Sequence, residues 1–318
     1  MDAAIPQLTP TERILMGVIV ASLVFFWLRL VALGGRLGLF RASDRPRPAW
    51  STAAVTYSVL VYILISVGVS LVYQYLEHPS GEQNVPAAHQ LLLMTVVNGL
   101  VILILPRILR AESGLTLNDL GLASWRVWLR DARLGVLMCV VLLPLVYGVF
   151  SVAQNYWVKQ DHPAEQSIRD QWSPTVAGLV LLSAVIMAPI AEELLFRGVL
   201  LGWLETVASR WNKGKGWGWV RTWLPNILVS VIFAAIHGPQ WPAPLPLFVL
   251  SMGLGSLVQT TGRLGASIAA HMLFNGLSTL TLFVAAANGN LERELPRPAA
   301  QPQPAGAAAI LKPGPARG

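Results

Sequence analysis

Residues 174–203 read PTVAGLVLLSAVIMAPIAEELLFRGVLLGW. From Pro174 to Ala191 the run carries no charge. Glu192, Glu193 and Arg197 then arrive together, and the apolar character resumes up to Trp203. At about 1.5 Å rise per residue such a run is long enough for a hydrocarbon core roughly 30 Å thick. Hydrocarbon offers backbone N–H and C=O groups no partner, so a spanning run of this kind must be a helix. Seven further runs share the character: 14–34, 53–75, 89–105, 134–157, 223–236, 245–261 and 264–287. Pro106 is expected to end the third run in the chain, since proline lacks the helix donor. Pro239, Pro242, Pro244 and Pro246 crowd the link between 223–236 and 245–261, the two weakest runs. The expectation is an all-α polytopic integral membrane protein, with about eight transmembrane helices enclosing an intramembrane chamber.

Composition agrees. The 318 residues are 54% hydrophobic and only 12% charged, about half the charged share of a soluble domain, and the mean hydropathy is +0.56. A soluble chain of this size could not bury that much apolar surface. The net charge is +7. Nucleic acid is not needed to explain it, because loops on the cytoplasmic side of membrane proteins collect Lys and Arg. The links after the first, third, fifth and seventh runs hold Arg36, Arg41, Arg107, Arg130, Lys213, Lys215 and Arg263 among others, whereas the opposite side, ahead of the tail, holds only Arg13, Lys159 and Arg169. The richer side is expected to face the cytoplasm, with both termini outside. Gly214, Gly216 and Gly218 lack the Lys-Ser/Thr ending of a phosphate loop. The single cysteine, Cys139, excludes an intrachain disulfide and a thiolate metal cluster.

Three regions are expected: 1–133, N-terminal spans and an interfacial helix; 134–287, a catalytic core; and 288–318, a disordered Pro- and Ala-rich tail. The first span reads as an uncleaved anchor, since its flank carries Asp2, Glu12 and Arg13 and no clear cleavage site follows. In 121–133, Leu122, Trp125, Leu129 and Ala132 fall on one helical face and Arg126, Arg130 and Arg133 on the other. That segment is expected to lie in the cytoplasmic interface. No internal repeat is visible, which disfavours transporters built from two matching halves.

Ionisable groups inside a span are costly, so each needs a partner or a task. Glu193 and Arg197 are four residues apart and share a helix face, so they can pair. Glu192 points about 100° away, free for work. Pro189, one turn earlier, removes a backbone hydrogen bond and is expected to open the helix near the pair. The bland alternative is a charged patch close to the cytoplasmic end. The 223–236 run leads into Phe233-Ala-Ala-Ile-His237, and the last run contains His271-Met-Leu-Phe-Asn275. A lone buried histidine is most often a satisfied core residue. Two in two spans, beside a glutamate pair in a third, point to a polar chamber. Together His237, His271, Asn275 and Glu192 supply a base, a proton shuttle and oxyanion donors, the parts needed for hydrolysis. A transporter or proton relay is the second reading. A non-catalytic membrane immunity or adaptor protein is the third.

The set Glu192-Glu193-x-x-x-Arg197, Phe233-x-x-x-His237 and His271-x-x-x-Asn275, in this order on successive apolar helices, resembles the type II CAAX prenyl endopeptidases and the bacterial CAAX-protease and bacteriocin-processing family. The resemblance runs over about 176–282. Leu117-Asn-Asp-Leu-Gly-Leu122 is similar to the short segment that precedes the core in this family. The resemblance implies an intramembrane endopeptidase acting on a peptide or protein substrate, prenylated or otherwise membrane-associated, from within the lipid bilayer of the plasma (inner) membrane and towards its cytoplasmic side. It implies Glu192 as the catalytic glutamate activating water with His237, His271 and Asn275 at the oxyanion, and Glu193, Arg197 and Phe233 as braces. Whether a divalent metal such as zinc takes part stays open. Glu192, His237 and His271 match a zinc ligand set in kind, yet they lie on separate helices without a His-Glu-x-x-His pair, and the metal-free reading is preferred. No nucleic-acid partner is expected, and the oligomeric state is not read from the sequence.

Overall fold

The structure, a computed structural model, describes residues 24, 27–29, 31–36, 50–77, 87–114, 120, 125–157, 163–170, 172–211 and 218–288. The described chain is helical throughout, without a strand. Its elements are α1 (Thr52–Glu77), α2 (Ala87–Ser113), α3 (Trp125–Gln154), α4 (Pro163–Asp170), α5 (Pro174–Trp211), α6 (Gly218–Ile236), α7 (Pro244–Thr261) and α8 (Gly265–Ala287). Six of these, namely α1, α2, α3, α5, α7 and α8, are long and apolar enough to cross a membrane, and Trp223–Ile236 within α6 is a shorter apolar helix. The protein is an all-α polytopic integral membrane protein. Most of the run at 14–34, the tail at 289–318 and most of the segment at 117–122 lie outside the described residues.

Two boundaries differ from expectation. Pro106 does not end α2, which continues to Ser113. In an apolar setting neighbouring helices and local adjustment absorb one missing donor. Residues 125–133 do not form a separate interfacial helix either. They are the first turns of α3, which runs unbroken from Trp125 to Gln154. The reason is Asp131. It is fully buried, and the Arg263 side chain donates to it through Nε at 2.7 Å and Nη2 at 2.5 Å. That pair pulls the inner face of the segment against the α7–α8 turn, while Trp125 and Leu129 stay exposed.

The packing places α7 at the centre. Two thirds of its apolar window, 67%, is buried inside the protein, against 6% for α1. Small residues allow this. A Cβ on Gly253 would collide with Leu142 of α3, and one on Gly255 with the Asn226 amide of α6. Asn226 uses that closeness to donate to the Met252 carbonyl at 3.0 Å, the interhelical bond expected of a polar residue in a span. On α3, Gly135 lies against the backbone of Ala266 at the start of α8. α5 crosses this assembly. It starts where the Ser173 hydroxyl accepts from the Val176 N–H at 3.2 Å, with Pro174 at the first helical position.

Candidate active site

α5 is not a uniform helix. It is wound as a π-helix over Leu181–Met187, returns to α over Ala188–Glu192, and widens again over Glu193–Leu201. The two glutamates fall on the junction between the α segment and the second π winding. Such bulges in a span commonly mark functional places.

Glu193 points inward and is fully buried. Arg197 donates to its Oε1 through Nη1 at 2.8 Å. The other terminal nitrogen of Arg197, Nη2, reaches Ser251 on α7, with 2.7 Å to the hydroxyl and 3.3 Å to the carbonyl. The guanidinium also stacks over the Phe233 ring at 4.7 Å. His271 Nδ1 lies 2.9 Å from the same Glu193 oxygen. A carboxylate paired with arginine accepts only, so His271 carries its proton on Nδ1 and turns Nε2 towards the neighbouring carboxylate. That carboxylate is Glu192, whose Oε2 is 3.7 Å from His271 Nε2 and whose side chain keeps 26% of its surface exposed. One imidazole therefore bridges a sealed carboxylate and an open one.

His237 belongs to the same wall by ring packing. The Phe233 ring lies between it, at 4.8 Å, and His271, at 5.9 Å, with Phe196 edge-on at 5.2 Å. His237 Nδ1 donates to its own helix at the Phe233 carbonyl, 2.7 Å away. This leaves Nε2 of the neutral ring as an acceptor. His237 is not within ion-pair distance of Glu192 among the described residues, so any proton passing between them needs an intervening molecule. Asn275, one turn beyond His271, donates through Nδ2 to the Ala184 carbonyl of α5 at 2.8 Å.

The structure thus brings Glu192, Glu193, Arg197, Phe233 and His271 into one cluster, sets His237 at its edge, and engages Asn275 on the α5 backbone. It does not assemble the metal set. Among the described residues no three His, Cys, Asp or Glu side chains gather as metal ligands. Nδ1 of His271 is engaged by Glu193 and Nδ1 of His237 by the Phe233 carbonyl, which leaves Nε2 on each ring. Glu192, His237 and His271 nevertheless do not converge on a common point as a zinc set in this arrangement.

Two contributors carried no sequence signal. Ser251 resembles any small residue of a packed helix, although Gly253 and Gly255 beside it marked this part of α7 as a close approach. Trp50, buried ahead of α1, donates through Nε1 to the Gly198 carbonyl at 2.7 Å, inside the second π winding. Of the 117–122 segment only Leu120 is described, and its carbonyl accepts from the Leu264 N–H at 3.1 Å at the foot of α8.

Residues 174–277 match the family model described as type II CAAX prenyl endopeptidase Rce1-like. The matched stretch runs from the start of α5 to two residues past Asn275, and so contains all the residues of this cluster. No curated protein and no solved structure matches the chain. The relation to the CAAX proteases expected from the three motifs is supported over that stretch.

Proposed function

We propose that the protein is an intramembrane endopeptidase that hydrolyses peptide bonds of membrane-associated or prenylated substrates with Glu192 as the base. The observation that carries the reading is the unequal glutamate pair. Glu193 is sealed by Arg197 and His271, while Glu192 stays open to a water molecule and a substrate. In this mechanism the Glu192 carboxylate takes a proton from water as the oxygen attacks the scissile carbonyl carbon. His271 Nε2 faces the same space, 3.7 Å from Glu192, and in its doubly protonated form the ring donates from Nε2 to the developing oxyanion while Nδ1 stays on Glu193. A fixed donor in a dry site stabilises charge there more than it would in water. The C–N bond then breaks, and the amine leaves with the proton that Glu192 took, relayed through an intervening water and His237 Nε2. Arg197 stays outside the proton transfers and keeps Glu193 ionised.

The reading is of a glutamate-type enzyme with no bound metal, supported by the failure of the candidate ligands to converge. The Lys- and Arg-rich links support a site towards the cytoplasm, and the membrane proposed is the plasma (inner) membrane. The bilayer and a peptide or protein substrate, lipidated or not, are the proposed partners, without nucleic acid.

The test is cleavage of a mixed peptide library that includes farnesylated peptides, by wild type and Glu192→Gln in detergent, with and without a strong chelator. The expected loss for Glu192→Gln is on the order of 10²- to 10⁴-fold, with an unchanged thermal midpoint and no chelator effect. Equal cleavage by both proteins would remove Glu192 from the mechanism, and chelator-sensitive cleavage would remove the metal-free part of the reading.

A further inference from the structure

The first π winding of α5 leaves the Ala184 carbonyl without a helical donor. At its end the Ala188 N–H bonds the Ser183 carbonyl, five residues back. In that register the next residue's N–H would serve the Ala184 carbonyl. The next residue is Pro189, which has no N–H. A stranded carbonyl in an apolar interior costs free energy comparable to a lost hydrogen bond. Asn275 Nδ2 meets that same oxygen at 2.8 Å, from a helix 91 residues further along the chain. The amide thus occupies the place of the missing backbone donor.

We propose that Asn275 is a positioning residue: its amide replaces the N–H that Pro189 lacks, and so ties the glutamate-bearing turn of α5 to the helix that carries His271. Three consequences of geometry support the assignment. Pro189 lies three residues before Glu192, so a shift in the winding moves the carboxylate directly. His271 lies one turn before Asn275 on α8, so the same bond fixes the distance between His271 and both glutamates. The second winding is tied in a parallel way, with the Trp50 indole donating to the Gly198 carbonyl. The turn bearing the glutamates, at the junction of the α segment and the second winding, is therefore held on both sides by side chains from other parts of the chain. This assignment gives one of the two Nδ2 hydrogens of Asn275 a task other than the expected one at the oxyanion.

The inference rests on the reading of the glutamate pair as the catalytic centre, but its test does not depend on activity alone. The experiment compares wild type, Asn275→Ala, Pro189→Ala and the double variant, each as the full chain in detergent. Two readouts are taken: the thermal midpoint, and kcat on whichever peptide wild type cleaves. Pro189→Ala restores a backbone N–H facing the Ala184 carbonyl. The expected result is a lower midpoint for Asn275→Ala, with at least half of the loss recovered in the double variant. In kcat, Asn275→Ala is expected to lose on the order of 10²-fold, the scale of a 1 Å displacement at a reacting centre, with recovery in the double variant. A midpoint in the double variant equal to the sum of the two single losses overturns the proposal. Recovered stability with kcat still depressed also overturns it, because Asn275 would then act on the substrate. If Asn275→Ala cannot be purified folded, purification of the double variant in folded form supports the proposal and its failure overturns it. If wild type cleaves nothing, the peptidase reading loses its support while the midpoints still decide this one.

Discussion

The two sides of the glutamate pair are built differently. On the Glu193 side the charged groups are locked by fixed partners at one carboxylate oxygen, Oε1, while Glu193 Oε2 and Arg197 Nε are buried without a hydrogen-bond partner among the described residues. Arg197 spans from Glu193 to Ser251, His271 closes the carboxylate from α8, and none of these side chains is more than a few per cent exposed. On the Glu192 side the contacts are looser. The Glu192 side chain keeps a quarter of its surface open, and its carboxylate stands 3.7 Å from His271, beyond hydrogen-bond length. His237 is held there by aromatic packing and by its own backbone. The difference shows how a membrane interior can host a reactive acid. A charge there persists only with fixed partners. One glutamate takes those partners, and the neighbour, oriented by the same histidine, is left able to exchange a proton.

The largest effect comes from breaking the locked side. Arg197→Met leaves Glu193 buried without its cation, which typically costs about 3–5 kcal/mol. A large fall in the thermal midpoint in detergent is expected, together with loss of cleavage. Adding Glu193→Gln to Arg197→Met should return part of that stability without returning activity, because removal of both charges is far milder than removal of one. The contrast with Glu192→Gln, which is expected to lose cleavage and keep its midpoint, is the sharpest form of the comparison. If Arg197→Met melts like wild type, the two sides are not distinct and the division of labour fails.

A second, smaller break acts through packing. Gly255 lies one turn beyond Ser251 on α7, where any Cβ meets the Asn226 amide. Gly255→Val should cost about 1–3 kcal/mol as an overpacked contact, and should displace the turn that presents Ser251 to Arg197. The control is Gly148→Ala on α3, where an added Cβ meets nothing within 4 Å. There the helix should be unharmed or gain up to about 1 kcal/mol. Equal midpoints for the two variants would show that α7 is not the wall against which the locked side is set.

These two sides were not equally legible in the sequence. The spans were plain, because a long uncharged run is hard to place anywhere but in a membrane. The charged members were plain as well, since Glu192, Glu193 and Arg197 stand out in an apolar run and a histidine in a span needs a reason. What could not be read were bonds to the backbone. Ser251 and Trp50 act on Arg197 and on the Gly198 carbonyl, and Asn275 acts on Ala184 rather than on another side chain. A carbonyl exists at every position, so no residue pairing in the sequence marks which one is stranded. Pro189 did announce an opened helix, but not its form, two π windings around an α segment. The continuity of α3 was hidden for a related reason. The segment 125–133 is amphipathic by its apolar and basic residues, and only the tertiary pairing of Asp131 with Arg263 shows that its acidic residue is the buried one.

The smallest expected effect tests what the locked side depends on. Ser251→Ala removes the 2.7 Å bond from Arg197 Nη2 but leaves the Ser251 carbonyl at 3.3 Å and the Glu193 pair at 2.8 Å. Arg197 therefore keeps an acceptor at each end, and the loss should be about 1 kcal/mol, read as a modest fall in midpoint. Cleavage should decline only slightly, since Glu193 stays ionised and His271 keeps its orientation. Ser251→Thr preserves the hydroxyl and should recover the midpoint if its extra methyl is accommodated. A loss for Ser251→Ala as large as that for Arg197→Met would mean that the arginine is held chiefly from α7. The locked side would then be an interhelical clamp in which Glu193 is a passive guest, and the inequality between the two glutamates would have its origin in α7 rather than in α5.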